Sequence, residues 1–199
     1  MKPILDIPIR YLSALIITAA KKDVRYYLNG IHVTNTYAES TDGHRVLRLD
    51  LDDGYKVEPE LDIIIPRESV ELFLKSQTAK QKANNDVVLY KDTLFGGRYV
   101  LSSGDFGIPF TVLSNRFPTV DRVLAKHQEV DFHGTFQWNY MADFEKAAKA
   151  LGHKLPIIQL IPNGNSTALV NILGVDYATA AIMPMRLPKD ARVYPVRAA

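Results

Sequence analysis

Three times along this chain the same order of elements recurs: a short apolar run, a helix with one apolar face, then three extended runs. In the first round residues 4–8 are apolar and bounded by proline. Leu12, Leu15, Ile16 and Ala19 then fall on one helical face. Residues 24–34 (VRYYLNGIHVT), 37–41 and 45–51 are rich in aromatic and β-branched side chains and read as strands. In the second round 61–65 are apolar, PRESVELFLK at 66–75 is a helix with proline at its first position, and 86–91, 93–102 and 106–113 are extended. A connector, SNRFPTVDRVLAK at 114–126, leads to the third. That round opens with 130–136, places Trp138, Met141, Phe144, Ala148 and Leu151 on one helical face, and continues with strands at 155–161, 168–173 and 177–184. The predicted class is α+β, built from about three β-α-β-β-β half-units of roughly 60 residues, each needing a neighbour to bury its face. Sequence identity between the copies is negligible; only the order of elements repeats.

Bulk properties narrow the function. With 47% apolar and 23% charged residues the chain is expected to be globular rather than disordered. A net charge of +2 does not by itself mark a nucleic-acid binder; only clustering of the cations could. There is no cysteine, which excludes disulfides and thiolate chemistry and suits a reducing, cytoplasmic setting. The N-terminus lacks a signal-peptide pattern, and no run reaches the roughly 18 apolar residues of a membrane span, so no membrane partner is expected.

Several short stretches invite a chemical reading and resist it. Ser40, Asp42 and His44 are triad residue types, but residues two apart on a tight Asp-Gly turn rarely converge as nucleophile, base and orienter. DLDDG at 50–54 begins like a calcium loop, yet glycine falls at the fifth position and Leu61 stands where the twelfth-position glutamate belongs. His32, His44, His127, His133 and His153 lack metal-ligand spacing, and NGN at 163–165 and FGG at 95–97 read as turns. No catalytic residue, metal or cofactor is expected. Lys21, Lys22 and Arg25 bracket a helix end next to Tyr26 and Tyr27, a grip suited to phosphate and base or sugar. The plainer alternative is lysines offsetting a helix dipole and tyrosines packing in a strand. Arg67, Lys75, Lys80, Lys82, Lys146, Lys149 and Lys154 are further helix-associated cations. A basic helix face of that kind would hold duplex backbone without reading sequence.

Five stretches together resemble the bacterial sliding clamp family, the beta subunit of the replicative DNA polymerase. DVRYYLNGIHV and TDGHRV resemble the clamp's middle domain, and IIIPRESVELF that domain's second half. NRFPTVDRVLAK resembles the segment leading into the last domain, and AAIMPMRL the C-terminal end. They keep the family's order and cover most of residues 4–187. The resemblance implies a DNA-clamp fold, with residues 1–125 a complete domain of two half-units, 126–187 the second half of a last domain, and 188–199 a tail. The family's first domain, and the half-unit that would lie between Lys126 and Val130, have no counterpart. A family proline in the connector is replaced by Ala125.

The resemblance also implies a function. The TDGHR turn and the MPMR stretch would converge on a pocket for short apolar peptide motifs of polymerases and clamp loaders. Arg25, Leu28, Thr41, Gly43, His44, Arg45 and Val46 would form one side, and Met183, Pro184, Met185 and Arg186 the other. Methionines adapt to varied apolar side chains. Lys21, Lys22, Tyr26 and Tyr27 match the loop that meets double-stranded DNA in the clamp's channel, where contact is non-specific. The reading is a compact, phage-encoded processivity factor in a homo-oligomeric ring. Twelve half-units would close it with four chains, unless the lone third unit pairs with its counterpart in a second chain. The rival reading is a clamp-derived docking protein that keeps the pocket and never encircles DNA.

Overall fold

The computed structural model describes residues 1–51, 54–92, 98–114, 116–125, 134–164 and 166–186. Unit one is β1 (Lys2–Pro8), α1 (Ile9–Thr18), β2 (Gly30–Thr34), β3 (Tyr37–Thr41) and β4 (Arg45–Asp50). Unit two is β5 (Asp62–Pro66), α2 (Arg67–Ser76), a short α3 (Ala79–Asn84), β6 (Asp86–Lys91), β7 (Arg98–Ser103) and β8 (Phe106–Thr111). The connector holds a single turn, α4 (Asp121–Leu124). Unit three follows as α5 (Trp138–Ala150), β9 (Ile158–Ile161), β10 (Ala168–Ile172) and β11 (Ala178–Ile182).

The units are woven together. Unit one's first strand, β1, pairs antiparallel with β6, and unit two's first strand, β5, pairs with β2. The result is a four-stranded sheet in the order β1-β6-β7-β8 and a seven-stranded sheet in the order β5-β2-β3-β4-β11-β10-β9. β11 joins β4 from Ala178↔Leu49 to Ile182↔Arg45, so the third unit is welded to the first and not hung from it. α1 packs against α2 and α3 and also against α5. That explains its composition: Ile9, Tyr11, Leu12, Ala14, Leu15 and Thr18 are all buried, leaving almost no polar face. Its last turn carries no cation of its own. Arg67 supplies one, its Nη1 donating to the carbonyls of Ile16 (2.9 Å) and Ala19 (2.7 Å).

Several expectations need correction. Residues 24–29 are not strand. Asp23 and Asn29 close the loop on each other, Asp23 N–H donating to Asn29 Oδ1 (2.9 Å) and Asn29 Nδ2 to the Asp23 carbonyl (2.8 Å), and Tyr26–Leu28 makes a 3₁₀ turn. Pro66 is not the first helical residue: with ψ 136° it ends β5, and α2 starts at Arg67. α3 was not foreseen; Thr78 and Gln81 form a reciprocal capping box that starts it. Trp138 does not share the buried face of α5, which is Phe144, Ala147 and Ala148. The expected strand at 130–136 is not found at 134–136, where the Thr135 carbonyl instead accepts from Met185 N–H (2.6 Å). Residues 126–133, with His127 and His133, lie outside the described residues, as do 93–97, Asn165 and 187–199.

Candidate functional site

The Asp-Gly turn is held by its own side chains. Asp42 Oδ1 accepts from the N–H groups of His44 (2.9 Å) and Arg45 (3.1 Å). Thr41 Oγ1 accepts from Gly43 N–H (3.0 Å) and donates to the Arg45 carbonyl (2.6 Å). Gly43 has φ +89°, a backbone conformation that favours glycine, and a Cβ there would also push aside the end of the Arg25 side chain, 2.8 Å away at Nη1. Arg25 itself grips Asp23 through Nε (3.0 Å) and Nη2 (2.8 Å), which holds the Asp23 carboxyl down at about 2.

These contacts dismantle a triad. The Ser40 hydroxyl is buried against α1, donating to the Leu15 carbonyl (2.7 Å) beside Thr18 Oγ1 (2.6 Å). The His44 ring stacks on Tyr140 of α5 (5.8 Å). Asp42 is engaged with the turn backbone. Among the described residues no group of three or more histidine, cysteine or acidic side chains is placed to hold a metal. The nearest approach, His32 with Glu39 and Asp62, has the carboxylates on opposite ring nitrogens, so they cannot meet on one ion.

The turn meets the distant end of β11. Met183 N–H donates to the His44 carbonyl (2.8 Å), extending the β4–β11 ladder into the turn. Arg45 is buried there and joins three elements. Its Nη1 lies 2.5 Å from Asp143 Oδ2 of α5, its Nη2 donates to the Ile17 carbonyl (3.1 Å), and its guanidinium sits 4.6 Å from the Tyr140 ring centre. Burial would raise Asp143, but hydrogen bonds from Lys146 and Arg45 outweigh it and hold the carboxyl below the ordinary range.

Beside this junction opens a cavity of about 200 Å³. Of the residues named for the expected pocket, Arg25, Leu28, Thr41, Gly43, His44, Arg45, Val46 and Met183 line it. Pro184, Met185 and Arg186 do not; the chain turns away after Met183 to run beside Thr135. Sequence reasoning missed Tyr27, Pro118, Thr119, Val120, Val123, Thr167 and Ala181. Val120 and Val123, three apart in the connector, were a readable sign of a short helix with one apolar side. Tyr27, expected on the DNA loop with Lys21, Lys22 and Tyr26, is half-buried and lines the cavity, while Lys21, Lys22 and Tyr26 are exposed.

The connector has a second, polar side. Pro118, Thr119 and Val120 also line a polar cavity of about 230 Å³ together with His32, Glu39, Arg48, Asp62 and Asp121. Arg48 binds Glu39 (Nε to Oε2, 2.8 Å) and Asp121 (Nη1 to Oδ1, 2.8 Å), and Phe117 stacks on His32 at 4.7 Å. The Arg48–Asp121 pair and the Phe117–His32 stack fasten the wall of the apolar cavity to the sheet.

No family model matches the chain. Curated relatives are beta sliding clamps. That of Pseudomonas aeruginosa is 29% identical over 112 residues, and that of Pseudomonas putida 31% over 112; each match covers 54% of this chain. The matched stretch spans only 29% of either relative's length. Solved structures extend the likeness. A sliding clamp from P. aeruginosa, determined with a ligand, superposes with TM-score 0.67 at 19% identity, over 92% of this chain and 66% of that one. The DNA polymerase III beta subunit of Borrelia burgdorferi, solved with a natural product, gives TM-score 0.73 at 13% identity, over 94% and 65%. The chain has the sliding-clamp fold. Within that clamp fold, the apolar cavity sits where unit one meets unit three. A further P. aeruginosa clamp of this fold is solved bound to griselimycin (TM-score 0.66, 20% identity, 92% and 65% covered).

The basic helix face expected alongside is reduced. Arg67 is spent on the end of α1 and on Glu71 (2.8 Å). Lys146 and Lys149 pair with Asp143 (2.6 Å) and Glu145 (2.5 Å) on their own helix. No helix among the described residues is long and apolar enough to cross a membrane.

Proposed function

We propose that the chain is a DNA sliding clamp, a non-enzymatic processivity factor that tethers polymerase and clamp-loader proteins to duplex DNA by their short apolar peptide motifs. The observation that carries this reading is the Met183–His44 hydrogen bond, which brings two distant segments together at one apolar cavity. At about 200 Å³ the cavity falls below the roughly 300–1,000 Å³ of a small-molecule site and suits one or two side chains of a peptide. Its walls are Leu28, Val46, Val120, Val123, Ala181 and the pliant Met183, with Arg25, Thr41 and His44 as polar groups at its lining. Exposed Lys21, Lys22 and Tyr26 supply a sequence-blind phosphate contact.

The test is fluorescence polarisation with a short labelled peptide carrying two neighbouring large apolar side chains. Met183 is 47% exposed, so Met183→Asp should fold. It should weaken the peptide roughly tenfold or more by placing an unpaired charge at the apolar contact. Equal binding by the two proteins would overturn the reading.

A further inference from the structure

One segment walls two cavities. Pro118, Thr119 and Val120 line both the apolar cavity and the polar one behind it. Among the described residues no backbone hydrogen bond joins this segment to a strand, so its seat depends on side chains. Val120 packs with Val46 and Ala181. Arg48 holds the far end through Asp121, whose side chain is exposed, so water screens that bond. Phe117 holds the near end. Its ring is buried in one cluster with Leu28 and Tyr27, which themselves line the apolar cavity. It also stacks on the His32 imidazole at 4.7 Å, with 20° between the planes. His32 is buried and lines the polar cavity, not the apolar one.

We propose that His32 is a positioning residue of the peptide site: its charge decides how firmly Phe117 holds the connector wall, and so how tightly an apolar peptide docks. This rests on the docking reading and names a regulation of that same site, by protons. The charged and titratable groups around the ring are Glu39 and Tyr37 of β3, Asp62 of β5, Arg48 of β4, Asp121 of α4 and Arg116 of the connector. The imidazolium donates to Glu39 and Asp62 from opposite nitrogens, which fixes the ring plane, and it presents a cation to the Phe117 face. The neutral ring can donate to only one carboxylate. The other then meets a lone pair, the ring tilts to relieve it, and the stack on Phe117 loosens. Burial opposes the charge, but the hydrogen bonds to Glu39 and Asp62 outweigh it and raise the pKa above 6.5. Peptide affinity is therefore highest below pH 6.5 and falls as pH rises through the folded value.

The test is fluorescence polarisation with a peptide of two neighbouring large apolar side chains, capped at both ends, free of ionisable groups and carrying a pH-insensitive label. Affinity of the native chain should fall roughly two- to fivefold from about pH 5.5 to 9, the scale of a cation lost from an aromatic face. His32→Gln keeps a donor and an acceptor but no charge. It should lose that fall and bind at every pH as the native chain does at high pH. His44 lines the apolar cavity in both proteins, so the difference between the two profiles belongs to His32. Binding and protonation are reciprocal, so saturating peptide should also raise the His32 pKa in a proton titration of the unaltered chain. Should His32→Gln unfold, that titration decides. Equal profiles for the two proteins, or a His32 pKa that ignores the peptide, would overturn the proposal and leave docking intact. Absence of binding at any pH would overturn docking itself, and this regulation with it.

Discussion

Arg48 Nη1 lies 2.8 Å from Asp121 Oδ1, so β4 holds the connector that walls the apolar cavity. The two ends of this pair differ in surroundings: the Asp121 side chain is 62% exposed and the Glu39 carboxylate on the other side of Arg48 only 2%. Asp121→Asn should therefore cost less than about 1 kcal/mol of stability, since water already screens that bond. Arg48→Met should cost more, about 3 kcal/mol, because it leaves the buried Glu39 carboxylate with His32 as its one remaining charged partner. Urea denaturation of the two variants measures the contrast; equal costs would show that Glu39 does not depend on Arg48.

His32 sits between Glu39 (Nδ1 to Oε1, 2.8 Å) and Asp62 (Nε2 to Oδ1, 2.9 Å). Burial alone would lower its pKa, but the two hydrogen bonds and the charges of the carboxylates outweigh it, and the pKa is raised above 6.5. Arg48, one bond further out on Glu39, and Asp121 beyond it complete the charged surroundings, with Tyr37 edge-on at 6.0 Å. The imidazolium can donate to both carboxylates; the neutral ring can donate to one and turns a lone pair on the other. A raised folded pKa means that this stability is complete below pH 6.5 and is lost as pH rises through the folded value. The urea midpoint should fall across that window in the native chain and stay flat there for His32→Gln. A proton titration placing His32 at or below 6.5 would contradict the geometry.

Periodicity was enough to read the helices and most strands, because each unit buries one face and the buried residues must recur at helical or strand spacing. It could not read the exchange of β1 and β5, since pairing partners leave no trace in local pattern. The stretch at 24–29 failed for a related reason: its tyrosines suit a strand, but Asp23 and Asn29 bond to each other across the loop and win. Trp138 was placed inward by spacing alone, yet the first turn of α5 projects beyond the core that takes Phe144. Of the cavity, the half borne by the Asp-Gly turn was legible through a resemblance of motifs. The connector's share was not, because Val120 and Val123 reach the cavity only once Arg48 and His32 have pinned the segment down.

Arg45 ties unit one to unit three through Asp143, the Ile17 carbonyl and the Tyr140 ring. A lysine has one compact ammonium and cannot serve three partners set in different directions. Arg45→Lys should cost about 2–3 kcal/mol, less than full removal of a buried partner. The Asp143 carboxyl should rise back toward the ordinary range as its guanidinium is lost. Thermal unfolding and an Asp143 titration check the two effects separately, and a lysine variant with native stability would show that the guanidinium fork is not needed.

Lys21 and Lys22 are the cations on which the DNA contact rests most, because Arg67 is taken up by α1 and Glu71 while Lys146 and Lys149 face acids on α5. Each phosphate contact contributes about 0.9 to the slope of log affinity against log salt. Lys21→Glu with Lys22→Glu should thus weaken duplex binding at low salt and flatten that slope by about two, with no dependence on base sequence. Peptide binding should be unchanged, since neither lysine lines the cavity. Affinity and slope measured across a salt series separate the two functional readings. If neither moves while the peptide still binds, the loop does not touch phosphate, and a docking protein that never encircles DNA describes the chain better than a clamp that slides on it.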